Sequence, residues 1–147
     1  MHLKDIMTQC AVTMPKNATL TEVTRVLLKH HLNGVPIVDS ESKLLGIITR
    51  ADIFRRILPN YDQICREGTY RNFEQIEERA NQAAQLKAEE VMSSPVITVD
   101  EETSVIKAGS IMVVKGIKQL PVVSNGKIIG MVTLTDIIEE LILSRRQ

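Results

Sequence analysis

The sequence has no tryptophan and only two tyrosines and two phenylalanines. A surface that stacks single-stranded bases needs a row of aromatic faces, which this composition does not supply. The two cysteines, Cys10 and Cys65, stand far apart with no Cys-x-x-Cys, and the three histidines (His2, His30, His31) complete no zinc-ligand spacing. Neither a metal site nor a disulfide framework is expected, and reduced thiols fit a cytosolic protein. Net charge is missing too. Eighteen basic residues balance 18 acidic ones, so no global field would draw in nucleic acid or an anionic membrane. No apolar run approaches the roughly 18 residues of a membrane span, and no basic start leads into an apolar leader. A soluble, cytoplasmic protein with no nucleic-acid and no membrane partner is the expectation. Ser-His-Asp, Cys-His and paired-carboxylate sets are absent, as is a Gly-x-x-x-x-Gly-Lys loop, so no enzyme is expected.

What is present is a duplication. Gly46-Ile47-Ile48-Thr49-Arg50-Ala51-Asp52-Ile53 returns as Gly130-Met131-Val132-Thr133-Leu134-Thr135-Asp136-Ile137. Around these motifs the chain matches itself at an offset of 85 residues, then 84. Asp5-Ile6-Met7 meets Glu90-Val91-Met92, Pro36-Ile37-Val38 meets Pro121-Val122-Val123, and Lys43 to Ile57 meets Lys127 to Leu141. The offset changes in a turn, where Asp39-Ser40-Glu41-Ser42 is one residue longer than Ser124-Asn125-Gly126. Turns tolerate such changes. At 147 residues the chain has one domain's worth of material, and two copies sharing a core are the expected folding unit.

Each copy reads as strand, helix, strand, strand, helix, an α/β (α+β) pattern of two βαββα repeats. Short apolar strands are expected at Ala11 to Met14 and Val96 to Val99. Thr19 with Glu22 is a capping-box pattern opening a helix whose apolar residues Leu20, Val23, Val26 and Leu27 recur at helical spacing. Val35 to Val38 and Leu44 to Thr49 follow as strands. In the second copy they are joined by Asn125-Gly126, a strong signal for a type I′ hairpin. Pro36 and Pro121 lack an amide hydrogen and place their strands at an edge, or themselves at a strand start. Thr49 and Thr133 are then helix N-caps with Asp at the third helical position. His30-His31 closes the first helix as a cationic end, with no third ligand for a metal. Met7 and Met92 read as packing residues.

The domain reading is repeat 1 at 1–57, a helical linker at 58–89 and repeat 2 at 90–147. The linker's second half, Asn72 to Glu90, has no Gly or Pro and predicts one helix of several turns capped at Asn72. Its apolar stripe is Phe73, Ile76, Ala80, Ala83 and Ala84, and Gly68 separates it from a shorter helix. Residues 1–57 carry eight basic and five acidic side chains, residues 58–90 four and seven, residues 91–147 six of each. The linker is therefore an acidic spacer, either a solvated face or a partner surface.

The duplication, the βαββα order and the two Gly-h-h-Thr-x-x-Asp-Ile motifs resemble the cystathionine-β-synthase (CBS) domain family, as a tandem pair with a long helical linker. The likeness covers Lys4 to Ile57 and Glu89 to Leu141. It implies a pseudo-twofold pair whose clefts bind an adenosyl ligand, AMP, ADP, ATP or S-adenosylmethionine, and signal to a partner protein. No cofactor is required beyond that ligand. By the same likeness Asp52 with Thr49, and Asp136 with Thr133, would hold ribose or phosphate. Val12 and Ile97 would lie against adenine, and Asn33 and Lys118 would face the phosphates. Homodimerisation through exposed helices is also implied, with Ile138, Leu141 and Ile142 at the contact.

On chemical grounds a carboxylate suits vicinal hydroxyl donors. Asn33 is neutral and Lys118 offers one charge, so a lightly charged ligand and the Lys118 side are favoured. Thr-x-x-Asp is also a cap in its own right, worth about 0.5–2 kcal/mol without a ligand. The alternative function is a dimerisation or docking scaffold with no nucleotide.

Overall fold

The computed structural model describes residues 1–9, 12–58 and 73–144, in a mixed α/β fold with two three-stranded sheets. Cys10, Cys65, Gly68 and Asn72 lie outside the described residues. One compact unit combines Met1–Val12, Glu41–Leu44 and Ile97–Gln147; the other combines Thr13–Ser40 and Leu45–Val96. The opening residues of repeat 1 are thus grouped with the body of repeat 2, and residues 90–96, which open repeat 2, with the body of repeat 1.

In the Ile97–Gln147 unit, β5 (Gln119–Ser124) and β6 (Lys127–Thr133) form an antiparallel hairpin, and β1 (Thr8–Gln9) adds to the far edge of β6. The hairpin turns at Asn125 (φ 53°) and Gly126 (φ 77°), the two left-handed residues of a type I′ turn. Helix α5 (Val105–Lys115) opens at Ser104, whose hydroxyl accepts from Lys107 N at 3.1 Å. Val105, Ala108 and Met112 line its inner face with Leu120, Val122, Val132 and Ile137. Leu3 completes this core, fully buried, although it belongs to the first repeat in sequence. Leu3 N donates to Thr103 O, Lys4 N to Glu101 O and Val105 N to Met1 O, at 3.0 to 3.1 Å. The Lys4 ammonium bonds Glu102 at 2.8 Å, which holds its pKa above the ordinary lysine value.

In the other unit the sheet order is β2 (Met14–Pro15), β3 (Gly34–Val38), β4 (Leu44–Thr49). Helix α1 (Leu20–Lys29) is capped by Thr19, which accepts from Glu22 N at 3.2 Å, and buries Leu20, Val23 and Leu27. Helix α2 (Arg50–Ile57) follows β4 directly. The helix expected over Asn72 to Glu90 is two pieces, α3 (Phe73–Ala84) and α4 (Ala88–Val91). The chain breaks at Gln85 to Lys87 because its backbone is used elsewhere. Leu86 O accepts from Leu20 N, Ala88 N donates to Ala18 O, and Lys87 pairs with Thr19, at 2.8 Å for both bonds. Tertiary pairing overrides helix propensity here.

The prolines depart from expectation in one repeat. Pro36 sits within β3, the central strand of its sheet, rather than at an edge. β2 pairs only with Ile37 and Val38, so the ladder on that side begins after the proline. Pro121 shows the same economy: Val99 N donates to Pro121 O and Val99 O accepts from Val123 N. No donor is asked of the proline. The first strands also begin later than expected, at Met14 in one repeat and as a single parallel bridge, Val99 to Val122, in the other.

The motif glycines are required by a methionine. A Cβ on Gly46 would lie 2.6 Å from Met92 Sδ; one on Gly130 would lie 2.9 Å from Met7 Sδ and 2.8 Å from the Thr8 carbonyl oxygen. Met92 can shift, whereas the Thr8 carbonyl belongs to a paired strand. Gly130→Ala is therefore expected to destabilise by about 1–3 kcal/mol, the range of overpacking, and Gly46→Ala by less. Urea unfolding of the two variants measures this, and equal midpoints would contradict it.

Candidate functional site

The two Thr-x-x-Asp motifs stand where a strand becomes a helix. β4 ends at Thr49 before α2, and β6 ends at Thr133 before α6 (Leu134–Ile138), which continues as a π-helical turn, Glu139–Leu143. Thr49 Oγ1 accepts from Asp52 N at 3.2 Å, and Asp52 Oδ2 accepts from Thr49 N at 2.9 Å. Thr133 and Asp136 repeat this at 3.1 and 2.9 Å. Each motif is a reciprocal capping box with Asp in the place of the usual Glu or Gln. The fold thus uses one oxygen, Oδ2, of each carboxylate.

The second oxygen separates the repeats. Asp52 Oδ1 accepts from Arg55 Nη1 at 3.0 Å and from Ser93 Oγ at 3.2 Å, while Oδ2 takes a further bond from Thr49 Oγ1 at 3.0 Å. Asp52 is only 9% exposed. Asp136 is half-buried, and its Oδ1 has no hydrogen-bond partner among the described residues. Arg55 corresponds to Glu139, and Ser93 to Thr8. An acid where the first repeat has a cation cannot donate to the carboxylate.

The candidate phosphate-facing residues come to these junctions by backbone ties. Arg50 N donates to Asn33 O and Leu134 N to Lys118 O, both at 3.0 Å. Asn33 and Lys118 are exposed, each beside the first residue of its helix. Val12 is half-buried and Ile97 41% exposed, and both fall in the unit that holds Thr133, Asp136 and Lys118.

Two further residues belong to these junctions and were not singled out in the sequence. Arg50 Nε donates to Leu32 O at 2.8 Å, which sets a guanidinium beside Asn33. Its signal was the first variable residue of the motif, Arg in one copy and Leu in the other. Gln119 stands opposite Thr133 in the β5–β6 ladder, so the two side chains share a face. Its amide Nε2 is buried with no hydrogen-bond partner. An orphaned buried donor costs about 1–3 kcal/mol, which an acceptor on a bound molecule would recover. The signal was a Gln where the first repeat has Gly34.

Among the described residues no group of three His, Cys, Asp or Glu could hold a metal ion, and no helix is long and apolar enough to cross a membrane.

Comparison with known proteins agrees with the fold. The CBS domain profile matches twice, over residues 3–59 and 88–143. An uncharacterised protein of Methanocaldococcus jannaschii is 32% identical, with 97% of this chain and 92% of that one covered. A second relative, from Methanopyrus kandleri, is also 32% identical over 87% of this chain, which spans only 56% of its length. The solved CBS domain of a CBS-domain-containing membrane protein from Sphaerobacter thermophilus is 32% identical, with a TM-score of 0.74 and 97% and 89% covered. A CBS domain pair solved in complex with 5′-methylthioadenosine and S-adenosyl-L-methionine is 28% identical, with a TM-score of 0.71 and 100% and 98% covered.

The caps should be unequal in cost. Thr49→Ala removes an acceptor for Asp52 N and a donor to Asp52 Oδ2, whereas Thr133→Ala removes only the acceptor. Both are expected to fall within the cap range of about 0.5–2 kcal/mol, Thr49→Ala nearer the top. Denaturant unfolding of the two single variants decides it.

Proposed function

The chain belongs to the CBS domain family, and from that premise we propose that it is a regulatory module that binds an adenosine-containing ligand and passes its occupancy to a partner protein. The observation that carries this is the open Oδ1 of Asp136. That oxygen accepts and cannot donate, which matches the paired hydroxyls of a ribose. Thr133 adds a hydroxyl, Gln119 an unpaired amide and Lys118 one ammonium group. One cation suits a ligand with little phosphate, so AMP or S-adenosylmethionine is favoured over ADP or ATP. The similar pair solved with 5′-methylthioadenosine and S-adenosyl-L-methionine supports that choice. Asp52 with Thr49, beside Asn33 and Arg50, is the equivalent grip of the first repeat. Val12 and Ile97 are the apolar residues offered to adenine. Occupancy becomes a signal only where the module has two states of unequal ligand affinity.

A second copy of the chain is part of the reading. α5 and the last helix pack together and leave Ile106, Val113, Val114, Ile138 and Ile142 more than half exposed. Leu141, expected beside them, is instead half-buried against the core of its own repeat. The remaining apolar face suits a homodimer contact.

Isothermal titration with AMP, ATP and S-adenosyl-L-methionine should show micromolar or tighter binding of at least one, lost in Asp136→Ala. Flat titrations for all three would overturn the ligand reading and leave the docking scaffold. Sedimentation equilibrium should give a dimer that Val113→Glu with Ile138→Glu converts to a monomer of unchanged unfolding midpoint. A monomeric parent protein would overturn the dimer.

A further inference from the structure

A carboxylate has about four lone-pair positions for donors. At Asp52 four donors meet them: Thr49 N and Thr49 Oγ1 on Oδ2, Arg55 Nη1 and Ser93 Oγ on Oδ1. At Asp136 only Thr133 N is bonded among the described residues. The two motifs are alike in sequence and unlike in capacity.

The donors on Asp52 Oδ1 differ in how firmly they are held. Arg55 has a side chain 69% exposed, and an exposed ion pair of this kind contributes little and is readily exchanged. Ser93 is fixed from two sides. Its amide donates to Ile47 O at 2.9 Å and its carbonyl accepts from Ile47 N at 3.1 Å, so the residue is clipped to β4. Met92, the residue before it, packs on Gly46, and Arg56 donates to the carbonyl of Glu90 in α4. The Ser93 hydroxyl therefore occupies an acceptor position on Asp52 Oδ1 that a ligand hydroxyl would need, and the two bonds to Ile47 hold its backbone beside β4.

We propose that Ser93 keeps the Asp52 half-site closed, so that the chain takes one adenosyl ligand, at Asp136, and admits a second only when the Ser93 hydroxyl leaves Asp52. This rests on the reading of Asp136 as a ribose acceptor. It goes beyond that reading by making the two half-sites inequivalent and by naming the residue responsible. It also makes the Ser93 side chain, on a backbone held to β4, the group that must turn away when the second ligand enters. Arg55, once released from Oδ1, would be free to face an anionic group on that ligand.

The test is calorimetric stoichiometry with S-adenosyl-L-methionine and, separately, AMP. The parent protein should bind one molecule per chain and Ser93→Ala two. Ser93→Ala combined with Asp52→Asn should return the value to one, and Ser93→Thr, which keeps the hydroxyl, should stay at one. Unfolding midpoints of the variants confirm that each is folded. Two sites in the parent, or one site in folded Ser93→Ala, would overturn the proposal while the ligand reading stands. No heat from any of the four proteins with either compound would overturn both.

Discussion

The carboxylate of the repeated motif serves the fold before it can serve a ligand. Asp52 and Asp136 each take the amide of the threonine three residues earlier, and that bond closes the first turn of the following helix. Without it the strand-to-helix junction would expose an unpaired donor at a half-buried position. What each aspartate has left for an outside donor is set by the neighbours that reach its other oxygen. Spare acceptor capacity is therefore a remainder, set largely by side chains outside the motif, and two like motifs can differ in what they leave unbonded.

Arg55 belongs to the same helix as Asp52, whereas Ser93 belongs in sequence to the second repeat and is grouped with the body of the first. Met7 and Met92 lie over Gly130 and Gly46, where a Cβ would have no room. The residue after each methionine is then set against the strand that carries the glycine. Thr8 pairs with Met131 in β1–β6, and Ser93 pairs with Ile47. The glycine is thus the permission for a close approach rather than a turn residue, and the approach positions Ser93 for Asp52. Both segments are alike in backbone; one hydroxyl reaches its aspartate and the other does not.

Much of this was legible in the sequence because it is local. Thr19, Thr49 and Thr133 cap helices that begin one residue later, and Asn125-Gly126 makes its hairpin turn. The repeat and its fold class were legible because two copies report on each other. What escaped depends on contacts far apart in the chain. Leu3 reads as a residue of the first repeat, yet it fills the core beside Val105 and Leu120. The break before α4 cannot be seen in a stretch free of Gly and Pro, because its cause is the pairing of Lys87 with Thr19, on the other side of the sheet unit in sequence. Ser93 is 41 positions from Asp52, and nothing in a Met-Ser-Ser-Pro string marks it as a donor to that carboxylate. Pro36 was misplaced because the edge rule assumes a full-length neighbouring strand, and β2 is two residues long.

The charges at the junctions follow the same division. In the first repeat two arginines surround the motif, Arg50 beside Asn33 and Arg55 on Asp52. In the second, Leu134 and Glu139 stand at those places, and the cation tied to the junction is Lys118, just before β5. The Asp52 carboxylate is paired by a guanidinium from its own helix, whereas Asp136 has an acid at that place and no partner on Oδ1 among the described residues. The junction with the richer cationic surroundings is therefore the one whose carboxylate is already bonded on both oxygens, and the poorer one keeps an oxygen without a partner among the described residues. On the proposed reading, an adenosyl group with few negative charges would suit the Asp136 junction on both counts: it would need the carboxylate for its hydroxyls and ask little of a lone lysine. A polyphosphate would find its cations at the junction where no acceptor remains for its ribose. The two copies have thus divided between them the features that a phosphate-rich nucleotide would need together.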